Sequence, residues 1–119
     1  MAMKLFDAEF KLMEILWKEG DASASRLAEI MSQLYDWKKT TTYTFIKRCI
    51  DKGAIERNEP GFICRPLITI EDAREHGASE LINKMYDGAA DQLIASLLGG
   101  KILSKEEIER LKKTVREME

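Results

Sequence analysis

Residues 39–52, KTTTYTFIKRCIDK, constrain this chain more than any other segment. Thr42, Phe45, Ile46 and Cys49 recur at helical spacing and form one apolar face, with Ile50 adjoining. The opposite arc holds Thr40, Thr41, Tyr43, Thr44, Lys47 and Arg48, with no carboxylate until Asp51. Gly53 ends the helix, and residues 54–57 and 62–65 read as two short strands about the turn Asn58-Glu59-Pro60-Gly61. Strand alternation sets Phe62 and Cys64 on one face and Ile63 and Arg65 on the other, and Pro66 ends the second strand.

Two helical segments precede this unit. Residues 8–18 carry Phe10, Met13, Leu16 and Trp17 on one face, widened by Leu12 and Ile15; Asp7 is the expected N-cap and Gly20 the stop. Residues 24–34, capped by Ser23, repeat Leu27, Ala28, Met31 and Leu34. Trp37 follows a short turn and reads as a core aromatic that seats the next helix. Three helices and a hairpin, in that order, predict a helix-turn-helix with a wing.

A helix of this kind fits the B-DNA major groove, where side chains of its first turns reach base edges. Thr40, Thr41, Tyr43 and Thr44 sit in those turns. Their hydroxyls can donate to phosphates or accept from bases, and Lys47 and Arg48, a turn further on, suit phosphate or guanine. Lys38 and Lys39 break a local rule, because cations at a helix N-terminus oppose the dipole and replace better caps. A phosphate bound by those amines and the free N–H groups would resolve the conflict.

Net charge is −2, which alone argues against nucleic acid. Its distribution argues the other way. Residues 1–36 hold four Lys/Arg against seven Asp/Glu, residues 37–70 seven against three, and residues 71–119 eight against eleven. A basic middle between acidic flanks is a local electrostatic footprint. Two cysteines, Cys49 and Cys64, are too few for a disulfide framework or a cysteine-pair zinc site. The single histidine, His76, leaves no pair for metal or triad chemistry and reads as a helix-surface or interface residue. No metal, cofactor or catalytic residue is expected, and the chain is not read as an enzyme. No apolar run approaches the roughly 18 residues of a membrane span, and the opening Met-Ala-Met-Lys runs into a charged amphipathic segment without a secretory signal. The expected compartment is a reducing cytoplasm.

Beyond Leu67 the pattern is helical again. Thr69 or Ile70 opens a segment with Glu71 and Asp72 in its first turn, and Leu81, Ile82, Met85 and Tyr86 make its stripe. After Gly88, Ala89, Ala90, Leu93, Ile94, Leu97 and Leu98 make another, broken by Gly99-Gly100. Ser104 and Glu107 form a capping box ahead of Ile108, Leu111, Val115 and Met118. These stripes cannot all be buried on one small winged-helix domain. Pairing with a second copy covers them and predicts a palindromic binding site with half-sites about one DNA turn apart.

Nearly the whole chain resembles the BlaI/MecI penicillinase-repressor family of winged-helix regulators. AEFKLMEILWKEGDASASRLAEIM is similar to the family's opening helices, and WKKTTTYTFIKRCIDKGAIERN to its Trp, recognition helix and lead into the wing. FICRPL resembles its F-x-Y-x-P-L wing strand, and INKMYDGAADQLIASLL followed by LSKEEIERLKK its dimerisation helices. The resemblance implies a mainly α chain, with a winged helix-turn-helix over residues 1–68 and a helical dimerisation domain over 69–119. It implies a homodimeric repressor of double-stranded operator DNA. Thr40, Thr41, Tyr43, Thr44, Lys47 and Arg48 match its DNA-reading face, which Lys38 and Lys39 join through the helix N-terminus argument above. Leu81, Ile82, Met85, Tyr86, Leu93, Ile94, Leu97 and Leu98 match its dimer surface.

Several positions depart from the family pattern. Lys38 stands where the family has Ser, Cys64 where the wing strand has Tyr, and the wing tip is short. The family's inactivating protease cuts an Asn-Phe bond, and the matching bond here is Ser96-Leu97. The copper-responsive branch carries a C-terminal cysteine cluster, whereas this chain has no cysteine after Cys64.

Two rival readings remain at this level: a winged-helix regulator governed by a small-molecule ligand, with His76 and Tyr86 as candidate lining, and a winged-helix protein-interaction module. A protein-interaction arc should be acidic or apolar, and this arc is neither. Cys49 neighbours Lys47, Arg48 and Lys52, which would suit a redox sensor, but it lies on the Phe45/Ile46 stripe and reads as buried and inert.

Overall fold

Each of the first three periodic segments forms a helix in the computed structural model, which describes residues 4–119. They are α1 (Asp7–Glu19), α2 (Ala24–Tyr35) and α3 (Lys39–Asp51). The opening Met-Ala-Met, read above for a leader, lies outside the described residues. Leu12, Met13, Ile15 and Leu16 of α1, Leu27 and Met31 of α2, and Ile46 and Cys49 of α3 share one core with Ala54, Ile55 and Cys64. Phe10 and Trp17 are half-buried at its edge, and the Trp17 indole Nε1 donates to the Ile68 carbonyl at 2.9 Å. That bond ties the segment leaving the sheet back to α1.

The helix ends follow local chemistry, with two corrections. Asp7 is not the N-cap of α1 but its first residue; Phe6 is the N-cap and offers no side-chain acceptor. The Phe6 N–H is instead accepted by Glu9 Oε1 at 2.9 Å, because a carboxylate in the first turn can reach back one turn. Leu34 is also misplaced on the core stripe: it is 58% exposed, since the core covers α2 only as far as Met31. Ser23 caps α2 as expected, accepting from Arg26 N–H at 3.0 Å. Asp36 then takes a left-handed turn at φ 57°, a conformation Asp tolerates better than most residues.

Gly53, at φ 80°, turns the chain from α3 into the sheet, where a side chain would be strained. The sheet has three strands rather than the expected two: β1 (Ala22–Ser23), β2 (Ile55–Asn58) and β3 (Ile63–Pro66), in the order β1-β3-β2. Both pairings are antiparallel, with Arg57 opposite Cys64 in β2/β3 and Ala22 opposite Cys64 in β1/β3. Two residues without a pattern of their own gave no sequence signal for β1. Cys64 is buried and Arg65 exposed, as alternation requires. Phe62, expected as the first strand residue, lies in the turn at φ 50°.

The chain divides into two compact units, Met1–Gly77 and Ala78–Glu119. The core above belongs to the first. Helix α4 (Ile70–Met85) begins in the first unit and runs into the second, followed by α5 (Ala90–Gly99) and α6 (Lys105–Glu117). Thr69 and Asp72 cap the start of α4 reciprocally, at 3.0 and 3.1 Å. Ser104 and Glu107 do the same for α6, at 2.9 and 3.1 Å, and these bonds hold the Glu107 carboxyl below its usual pKa. None of α4, α5 and α6 buries a residue.

Candidate nucleic-acid interface

Helix α3 is anchored by Thr42, Ile46 and Cys49, all fully buried. Anchoring that face turns the opposite one outward. Lys38, Lys39, Thr40, Thr44, Lys47 and Arg48 are exposed, and Thr41 and Tyr43 are half-buried. The eight residues read from sequence as the DNA face therefore share one side of one element and its N-cap.

The N-terminal end of α3 has the expected conflict. Lys38 is the N-cap, in an extended conformation at φ −67° and ψ 149°, and no side chain caps the helix. The first turn contains no acid. The free N–H groups of the first turn are thus flanked by two lysines and no acid, an arrangement suited to an anion such as phosphate. Thr44 is partly committed, because its hydroxyl donates to the Thr40 carbonyl at 2.9 Å; its lone pairs stay available to a donor.

Aromatic rings brace this surface on two sides. Trp37 packs on Phe45 at 5.2 Å between centroids, and the Arg48 guanidinium lies 5.2 Å from the Phe45 ring. Trp37 is half-buried against the core, as its seating role requires. Tyr43 meets Phe62 edge-on, at 5.8 Å and 90°, and Lys39 Nζ lies 5.7 Å from the Tyr43 ring. Arg57 stacks on the far partner, its Cζ 3.6 Å from the Phe62 centroid, while its Nε bonds Glu59 at 3.0 Å. Sequence reasoning placed Arg57, Glu59 and Phe62 in the hairpin but gave them no part in the DNA face, because their association depends on the turn bringing Phe62 against Tyr43.

A second unread feature sits at the other end of α3. Glu9 is fully buried, and its Oε1 accepts from both the Phe6 N–H and Lys52 Nζ. Lys52, the C-cap of α3, also donates to the Lys4 carbonyl at 2.7 Å and lies 4.2 Å from the Phe6 ring. The only advance signal was a carboxylate at the third position of a helix whose N-cap lacks an acceptor.

The cysteines are buried thiols. Burial pushes Cys49 up to about 12, with Glu9 adding to the rise, and Cys64 up to about 11, with Arg57 opposing it. A thiol held protonated is a poor nucleophile, so the inert reading of Cys49 fits this environment. Among the described residues no cluster of three or more His, Cys, Asp and Glu side chains could hold a metal ion. Among them, too, no helix is long and apolar enough to cross a membrane.

In the second unit the residues read as the dimer surface are accessible in the single chain. Leu81 is 47% exposed and Met85 65%. Ile94 and Leu98 are exposed, and Ile82, Tyr86, Leu93 and Leu97 are half-buried.

Comparison with known proteins agrees with this architecture. The penicillinase repressor family model matches residues 5–117. The chain is 31% identical over 111 residues to the methicillin resistance regulatory protein MecI of Staphylococcus aureus, covering 92% of this chain and 90% of MecI. It is 28% identical over 110 residues to the penicillinase repressor of Bacillus licheniformis, covering 91% and 86%. The DNA-binding domain of the repressor BlaI superposes with a TM-score of 0.56 at 27% identity, covering 60% of this chain and 90% of that domain. The monomeric form of Bacillus licheniformis BlaI, solved in complex with the blaP half-operator, superposes at 0.54 with the same identity and coverage. With a mainly helical winged-helix architecture and a family match spanning nearly its whole length, the chain belongs to the penicillinase repressor family, whose members are transcriptional repressors rather than enzymes.

Proposed function

We propose that this chain represses transcription as a homodimer bound to a palindromic operator, with α3 in the major groove. One observation carries the reading. The exposed face of α3 is uncapped, free of acids in its first turn and lined by hydroxyls and cations. Lys38 and Lys39 meet phosphate at the helix N-terminus. Thr40, Thr41, Tyr43 and Thr44 face base edges and sugar-phosphate, and Lys47 and Arg48 take phosphate or guanine. Likeness to a BlaI form solved with half-operator DNA supports the same partner here.

The second copy covers the open stripes of α4 and α5: Leu81, Ile82, Met85 and Tyr86, then Leu93, Ile94, Leu97 and Leu98. Residues 69–119 serve as the dimerisation domain and residues 1–68 as the DNA-binding domain. An inactivating protease acting at Ser96-Leu97 would have to open α5, which contains that bond. The cytoplasm is the compartment that suits this work.

A mobility shift on DNA from upstream of the protein's own gene, at two salt concentrations, tests the reading. Specific retardation that weakens steeply with salt is expected. Absence of binding even to non-specific duplex at low salt would refute it. Arg48→Ala should cost about 1–3 kcal/mol of operator affinity if that residue reads a base.

A further inference from the structure

Four side chains from three elements form one stack: the Lys39 ammonium on the Tyr43 ring, Tyr43 edge-on to Phe62, and Phe62 under the Arg57 guanidinium. Phe62 is its centre. Its carbonyl also accepts the Ala24 N–H at 2.9 Å, so the same residue touches the start of α2. Yet Phe62 holds φ 50°, a backbone region that a bulky side chain occupies only at a cost and that glycine would occupy freely. Strain of this kind persists where the surroundings over-determine it, and it concentrates at functional sites.

We propose that Phe62 is a positioning residue that clasps the wing to the recognition helix, and that Arg57 is the wing's phosphate contact. The inference rests on the DNA-binding reading above. With Lys39 at one end and Arg57 at the other, the clasp fixes the separation of two cations on one surface. In the free protein Arg57 is paired with Glu59, and Glu59 Oε2 also accepts the Phe62 N–H at 3.4 Å. Glu59 is therefore an internal stand-in anion, and backbone phosphate displaces it from a guanidinium already aimed by stacking. Arg57 is half exposed, so that exchange needs no opening of the core.

The test is the slope of log affinity against log salt for operator duplex, in the full chain. Each phosphate contact contributes about 0.9 to that slope. Arg57→Gln should lower the slope by about one contact. Phe62→Gly, which keeps the backbone free to adopt its turn, should lower it by the same amount, and the double variant should lose no more than either single one. If Phe62→Gly does not fold, Phe62→Asn suits the same backbone and takes its place. An unchanged slope in Arg57→Gln would overturn the phosphate assignment. Loss in Arg57→Gln with none in the Phe62 variants would overturn the clasp. Wild-type protein that binds no duplex would defeat the DNA-binding reading itself, a result distinct from either.

Discussion

Replacing Lys52 with Met should damage the fold far more than loss of one lysine at a helix end normally does. The Glu9 carboxylate is fully buried and keeps only the Phe6 N–H once Lys52 is gone. Its Oε2 already lacks a hydrogen-bond partner. Breaking a buried ion pair from one side costs about 3–5 kcal/mol, because a charge is left stranded. Lys52 is 27% exposed, so water can reach that side of the pair and the lower end, about 3 kcal/mol, applies. Loss of the Lys52–Phe6 contact adds about 0.5 kcal/mol.

The companion variant Glu9→Met/Lys52→Met removes both charges. It keeps the apolar contacts and loses the Phe6 N–H cap, worth about 1 kcal/mol. The double variant should therefore be more stable than Lys52→Met by about 2 kcal/mol. Urea unfolding followed by circular dichroism, at one fixed protein concentration because self-association would shift the midpoint, reads both values. If Lys52→Met cost under about 0.5 kcal/mol, or the double variant were less stable than Lys52→Met alone, the stranded-charge argument would be wrong.

Three further perturbations test other parts of the structure. Thr42 is fully buried and its hydroxyl has no hydrogen-bond partner, so Thr42→Val should stabilise the fold by about 1 kcal/mol, visible as a Tm rise of several degrees; a fall in Tm would show that the hydroxyl is satisfied in solution. The cysteine thiols, raised from 9.0 to about 12 and about 11, stay neutral in the folded state where unfolded thiols ionise, so their contribution is complete below pH 9 and drains away as pH rises through 11 and 12. Cys49→Ala/Cys64→Ala should flatten that alkaline loss in a pH series of urea midpoints, and an unaltered slope would refute the assignment. Leu93→Asp should abolish self-association by setting a charge in the second copy's apolar face; sedimentation that still gave a dimer would move the interface elsewhere.

How much could be read in advance depended on the range of the interactions involved. The three helices were legible because apolar spacing is a local record of which face is buried, and α3 was legible twice, since its buried and exposed arcs differ in chemistry as well as hydropathy. Ser23, Thr69 and Ser104 disclosed helix starts because caps bond within one turn. Asp7 misled because Glu9, two residues on, took the capping role. Strand β1 escaped notice because Ala22 and Ser23 are strand only by pairing with residues some forty positions away.

From its order of residues alone this chain determines three helices and a wing, an acid-free arc on α3, and a C-terminal half with more apolar stripe than one small domain can bury. Those are sums over neighbours, and neighbours are written in the chain. Tertiary structure decided which polar groups meet. It put Glu9 under Lys52 across 43 positions, bound the Trp17 indole to Ile68, and folded Phe62 at a strained φ between Tyr43 and Arg57. Such pairings carry no local pattern, because a hydrogen bond or ring stack constrains two points in space and leaves the intervening sequence free.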